Sequence, residues 1–241
     1  MADVFSPRTQ TEWQLKEFLM AKHGPYIEVE RCVSGPGLVD IFEFCCSPAA
    51  AAAAAGQEGF GPSHEKEKQF RALWEQVENT DVDMQPAAVA KMARLELQPL
   101  LSDPIYPPSS PRGKLQRKRE EEGREQQQQQ QGGSCISSPR TAHAFRPTAL
   151  RHPAVCALDL FLSCYGRVLQ TATITFLPYG GLYVAGGILP QLMWRLRQKN
   201  ILVEAYLDAG PKMTQLVSRV PVSLIRDPGV GLKGALFNCF K

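Results

Sequence analysis

The chain has 241 residues, 44% of them hydrophobic and 21% charged, and a formal net charge of +3. That length suits one large domain or two small ones, with enough apolar content for a core. So small a net charge, with no basic stripe interleaved with aromatics, argues against a nucleic-acid binder.

The opening, MADVFSPRTQTEWQ, has no basic segment followed by an apolar one, and Asp3 and Glu12 are acidic, so neither a signal nor a transit peptide is expected. Thr11 is the expected cap of a first helix through Trp13, Leu15, Phe18, Leu19 and Ala21, which Gly24 and Pro25 end. A short extended piece, 26–29, leads to Glu30. Ser34-Gly-Pro-Gly37 then opens a second helix over 38–45, with Ser34 accepting from its first turn.

The middle, 47–150, reads as a low-complexity, disordered insertion with short helices in it. An alanine run reaches Ala55. Over 65–77, Phe70, Leu73, Trp74 and Val77 share one helical face, and 86–97 suggests another helix. From 99 to 147 the sequence holds Pro-Pro, a mixed charge block (114–125) and a glutamine run (126–131). Such a segment buries too little apolar surface to offset its ordering entropy. The charge block has nearly balanced signs, which favours a solvated linker over a nuclear-import signal.

The last part, 154–241, is dense in apolar residues. Segment 155–169 reads as a buried helix and 171–177 as a β-rich run. Asp159, Arg167 and Gln170 make a membrane span costly there. Gly180-Gly181 precedes a short strand, 182–185. Gly186-Gly187 follows, and Pro190 starts a helix through Leu192, Met193 and Leu196 with Arg195, Arg197 and Lys199 outward. A second strand covers 220–225, Asp227-Pro-Gly-Val-Gly231 turns, and 232–240 is a final helix. Strands alternating with helices imply an α/β layer with a partly parallel sheet. The seven cysteines, Cys32, Cys45, Cys46, Cys135, Cys156, Cys164 and Cys239, form no Cys-x-x-Cys pair. Free thiols in a reducing, cytoplasmic setting follow, and a zinc site does not.

Three places suggest chemistry. Gly180, Gly181, Gly186 and Gly187 bracket a strand, and glycines there let backbone amides approach a ligand. Gly229 and Gly231 repeat the pattern after the second strand. Both read either as a nucleotide edge at the strand ends or as tight strand–helix corners. Neither is followed by the Lys-Ser or Lys-Thr of a phosphate-binding P-loop. Glu30 reads as a carboxylate for sugar hydroxyls or as a surface partner of Arg31 or a lysine. The histidines, at 23, 64, 143 and 152, pair with no nucleophile.

Together these segments resemble one family. ERCVSGPGLVDIF, from Glu30, is similar to the E-R-x-x-S-G-P-G-L segment of bacterial-type glucokinases. ADVFSPRTQTEW resembles the stretch that follows their E-G-G-H motif. GRVLQTATITFLPYGGLYVAGGILP resembles their G-G-[VL]-[FY]-[IL]-A-G-G-I-x-P block, and VPVSLIRDPGVGLKGA their closing segment. The four blocks are collinear. The resemblance implies part of a ribonuclease-H-like lobe of the actin/hexokinase type, incomplete and carrying the insertion. Its segments are a sugar-side piece (1–46), the insertion (47–150) and a nucleotide-side piece (154–241). It implies transfer of a phosphoryl group from ATP, with Mg2+, to glucose. Glu30 would bind a sugar hydroxyl, and the glycines would lie on the nucleotide side. Glucose and ATP are the implied partners, with no nucleic acid or membrane, and a homodimer is allowed.

The departures are specific. The family's D-x-G-G-T, N-D and G-T-G-L-G segments do not occur in the sequence, and Leu169-Gln170-Thr171 stands where Gly-Gly-Asn is usual. The catalytic base is therefore expected upstream, and no catalytic residue within this chain. A truncated but otherwise active glucokinase, a non-catalytic hexose-binding or interaction protein, and a half-enzyme needing a second chain all fit. In each case an incomplete fold should leave an apolar face bare.

Overall fold

The structure is a computed structural model describing residues 4–47, 64–101, 152–227 and 229–240. The alanine run, the charge block and the glutamine run lie outside the described residues. The chain divides into two units, Met1–Leu95 with Ala142–Lys241, and Glu96–Thr141. Of the second, the structure describes only the helical residues 96–101.

Helix α1 spans Gln10–His23. Its cap is Thr9, not Thr11. The Thr9 hydroxyl accepts from the Glu12 amide at 3.3 Å, and the Glu12 carboxylate accepts from the Thr9 amide at 3.3 Å. The Thr-x-x-Glu spacing of a capping box was present in the sequence and outweighs the nearer threonine. Thr11 is buried instead, beside the inward face of Leu15 and Leu19. An isolated antiparallel bridge, Val4 to Glu28, closes the extended pieces on either side of α1.

Helix α2 is a single turn, Glu30–Val33, and α3 follows at Gly35–Cys46. Leu38, Ile41, Phe42 and Phe44 of α3 are fully or nearly fully buried. Helix α4 (His64–Glu78) packs on α3, with Trp74 meeting Phe42 at a ring separation of 6.3 Å and Val77 buried. A 3-10 turn, Val82–Met84, leads to α5 (Gln85–Leu101), which buries Val89 and Ala93. Two helices thus stand inside the stretch expected to be low in complexity, near the places the apolar spacing suggested.

The spine of the fold is α6, Pro153–Phe176, against which α2, α3, α9 and α10 all pack. The β-rich run expected over 171–177 does not form; α6 continues through it for 24 residues. The propensity of its threonines for strands is small, and packing overrides it. Gln170 and Thr173 are fully buried against other helices, and the Thr175 hydroxyl bonds back to the Thr171 carbonyl at 2.8 Å, a helical pattern. The helix ends at Leu177, whose φ of 46° is left-handed, just before Pro178.

Four large side chains, Leu158, Leu160, Phe161 and Leu162, are fully buried in α6. Each stabilises the fold by about 1.5–3 kcal/mol. A helix apolar on every side belongs inside a core rather than on its surface. No helix among the described residues is long and apolar enough to cross a membrane. Cys32, Cys156 and Cys164 are buried in this core. Burial pushes the Cys46 thiol up to about 12, with the Glu43 carboxylate adding to it.

Strand β1 (Leu182–Val184) is followed by two short helices, α7 (Ile188–Gln191) and α8 (Met193–Gln198), where one was expected. The break falls at Leu192. Two further helices, α9 (Ile201–Leu207) and α10 (Gly210–Val217), occupy a stretch in which the sequence suggested no element. Strand β2 (Val222–Leu224) then pairs in parallel with β1, Leu182 to Val222 and Val184 to Leu224. Helix α11 (Val230–Cys239) ends the described chain. The first unit is therefore mostly helical, with a two-stranded parallel sheet.

Candidate functional site

Glu30 is the first residue of α2. Its position follows from a corner built by the sequence around it. The Ser34 amide closes the α2 turn on the Glu30 carbonyl at 3.0 Å, and the Ser34 hydroxyl accepts from the Gly37 amide at 3.1 Å to cap α3. A Cβ at Gly37 would stand 2.4 Å from the Arg31 carbonyl oxygen, so only glycine lets α2 fold back onto the start of α3. Cys32 faces inward, where α2 packs on α6 beside the Cys164 thiol. With Cys32 held inside, Glu30 is left outside. It is exposed, and its carboxylate bonds to no described residue, Arg31 included.

The corner is braced from α1. The buried Asp40 of α3 takes Lys22 Nζ at 2.8 Å and His23 Nε2 at 2.8 Å, and Lys22 also pairs with Glu43. Nearby, the fully buried Glu12 accepts from Arg167 of α6 at 2.9 Å. These contacts fix α1, α3 and α6 to one another around α2.

The six glycines singled out by the sequence divide in two. Parallel pairing puts the carboxyl ends of β1 and β2 at the same sheet edge, where the Ile225 amide bonds to the Val184 carbonyl at 2.8 Å. Gly186-Gly187 and Gly229, Gly231 leave the sheet at that edge. Gly180 and Gly181 sit at the opposite end of β1, where the Gly181 amide closes a turn on the Pro178 carbonyl. Gly186 has a φ of 124°, and a Cβ on Gly186, Gly187 or Gly231 would meet nothing within 4 Å. The backbone there is open to a ligand, and at Gly186 the conformation itself calls for glycine.

Asp227 organises the second turn. Its carboxylate accepts from the Gly229 amide at 2.9 Å and pairs with Lys233 Nζ at 2.6 Å. The Lys233 ammonium, and after it the Gly229 N–H, hold this carboxyl below its ordinary range. Among the described residues no three His, Cys, Asp or Glu side chains cluster as metal ligands.

One strong pair escaped sequence reasoning. Arg195, expected to point outward, is buried and grips Asp159 of α6 with Nε and Nη2 at 2.6–2.8 Å. Lys199 approaches the same carboxylate at 3.5 Å. The signal was an aspartate inside an otherwise apolar run, since a buried charge is retained only when paired. The pair anchors α8, and through it the chain that leaves Gly187, onto the spine.

The glucokinase family model matches residues 3–98 and 117–239, so the chain belongs to the glucokinase family. Both Glu30 and the glycine edge lie inside the match. A glucokinase of Nostoc punctiforme is 28% identical over 235 residues, which is 96% of this chain and 50% of that protein. A glucokinase of Synechocystis is 28% identical over 232 residues, covering 96% of this chain and 48% of its own length. A shorter match, 38% identical over 79 residues, links 33% of the chain to a glucokinase of Photorhabdus laumondii. The chain thus spans about half the length of the curated relatives it matches over most of its own.

Proposed function

We propose that this chain is the sugar-side and nucleotide-side portion of a kinase that transfers a phosphoryl group from ATP to glucose, within a ribonuclease-H-like fold. The observation that carries the reading is the pairing of the unpartnered Glu30 carboxylate with an open glycine edge, both inside the family match. Glu30 accepts hydrogen bonds from a sugar hydroxyl, held in place by the Ser34–Gly37 corner. A carboxylate does this well because it offers two acceptor oxygens and no donor. Gly186, Gly187, Gly229 and Gly231 present backbone to the nucleotide, while Gly180 and Gly181 shape the turn that enters β1. Mg2+ would come bound to the phosphates of ATP, as is usual for a cation that dehydrates reluctantly.

Phosphoryl transfer is mostly positioning and charge stabilisation, with a carboxylate taking the hydroxyl proton. The D-x-G-G-T and N-D segments that supply the phosphate grip and the base in similar proteins do not occur in these 241 residues. The reading therefore assigns this chain binding and orientation, and expects no turnover from the 241 residues by themselves. It places the protein in the cytoplasm, where glucose and ATP meet.

The test is an assay of the protein isolated from its own cells with an antibody to residues 154–241. ATP-dependent formation of glucose 6-phosphate, lost in a Glu30→Gln variant through a raised KM for glucose, supports the reading. Glucose binding without turnover identifies a non-catalytic hexose-binding protein. Neither binding nor turnover overturns the proposal.

A further inference from the structure

The Glu30 corner is also met by α5. A Cβ on Gly35, the first residue of α3, would lie 3.3 Å from Cγ and 3.8 Å from Cβ of Pro86. The Pro86 ring therefore rests on the Gly35 backbone, and a methyl group between them would be crowded. Gly35 follows Ser34 directly, and the Ser34 amide closes the α2 turn on the Glu30 carbonyl at 3.0 Å. One helical turn of backbone thus separates the proline contact from Glu30. The place of the proline is itself set by a built connector. The Met84 and Gln85 amides both bond to the Asp81 carbonyl, at 2.8 and 3.1 Å, and the Gln85 side chain donates to the Thr80 carbonyl at 3.3 Å. Before that connector, α4 is held on α3 by Trp74 against Phe42 and by Lys22 over the Trp74 ring at 5.8 Å. A proline in the first turn of α5 leaves no N–H unbonded and has its φ fixed, so it makes a rigid contact without weakening the helix.

We infer that Pro86 is a positioning residue for the Glu30 site: its ring, set on Gly35, fixes the corner from which the carboxylate is presented, and so couples the α4–α5 pair to sugar binding. The inference rests on the proposed role of Glu30 as acceptor for a sugar hydroxyl. Packing on α6 holds α2, and the Asp40 pairs hold α3 to α1. Pro86 adds support at the junction where α2 gives way to α3. Close-packed contacts pass small displacements on rather than absorb them. A misplacement of about 1 Å in an orienting group is enough to cost function. Pro86 acts on the sugar only through Glu30, so its effect falls on affinity.

The experiment is a set of calorimetric glucose titrations on tagged protein isolated from its own cells, as wild type and with Gly35→Ala, Pro86→Ala or both. Gly35→Ala crowds the ring, and Pro86→Ala removes the Cγ atom that meets it while keeping a good helix former. Each alone should raise the Kd for glucose about threefold or more. Together, the Cβ atoms of residues 35 and 86 would stand 3.8 Å apart, an ordinary contact, so the double variant should bind more tightly than either single one. Ala93→Gly, fully buried in the same helix, should lower the melting temperature and leave the Kd as it is, which separates positioning from a loss of α5 stability. Single variants with the wild-type Kd, a double variant whose effect is the product of the two, or a Kd raised equally by Ala93→Gly overturns the inference and leaves the reading of Glu30 standing. Absence of glucose binding in the wild-type protein overturns the proposed function, and the inference with it.

Discussion

Asp159 sits in the middle of a fully apolar stretch of α6 and depends on the guanidinium that meets it there. Removing one partner leaves the other charge buried and uncompensated, at a cost of about 3–5 kcal/mol. Asp159→Ala should therefore lower the urea midpoint severely, while Asp159→Leu with Arg195→Met should recover much of the loss. If the single and double variants are equally unstable, packing of α8 rather than charge compensation is what the pair provides. At Asp227 the stakes are different. That carboxylate is exposed, and its pairing braces only a turn. With its folded value depressed, the brace is fully present at neutral pH and is lost only as pH falls through that lowered value.

At the scale of elements, Gly166 marks a close approach that no sequence pattern announces. A Cβ on Gly166 of α6 would lie 2.3 Å from the Leu202 carbonyl and 3.0 Å from the Ala205 side chain. Helix α9 therefore lies directly on the backbone of α6, and Gln170 seals the contact by donating to the Ala205 and Tyr206 carbonyls at 3.2 and 2.8 Å. Gly166→Ala should cost about 1–3 kcal/mol by overpacking, read by chemical denaturation. Gly231→Ala, at an exposed helical position with open space around it, should be neutral or slightly stabilising. Equal effects would mean that α9 is free to shift away from the spine.

Those elements also show where the sequence was legible. The Glu30 corner could be read because capping and glycine chemistry are local, as with Ser34 and Gly37. Strands β1 and β2 could be read because short apolar runs stood between glycines or turn residues. The end of α6 could not. The residues 171–176 favour strand on propensity, and their helical state is decided by Tyr206, some thirty residues away, whose hydroxyl meets Thr173 at 3.2 Å. Arg195 was misread for the same reason, since its partner lies on another helix. Helices α9 and α10, seven and eight residues long, are too short to hold by themselves and exist because α6 gives them a surface.

Across the whole molecule, stability is unevenly spread. The α6 amides near Leu162 lie at the centre of packing from α2, α3 and α9, whereas α11 has no buried residue. Hydrogen exchange should show the first group opening only with global unfolding and the α11 amides exchanging orders of magnitude faster. Comparable protection in the two would mean that α11 is already covered in solution.

The continuity of α6 has one more consequence. The Glu30 turn is fastened to it at Cys164. The glycine edge is fastened near Thr173, through Tyr206, whose hydroxyl donates to the Val217 and Val220 carbonyls just before β2. The two anchor points are nine residues apart, about 14 Å along an unbroken helix. A rod of that kind does not flex between its attachments, so the two corners travel together. On the proposed function, bringing a sugar and a nucleotide into line would then take place as a rigid swing of this whole body, with the pivot outside α6.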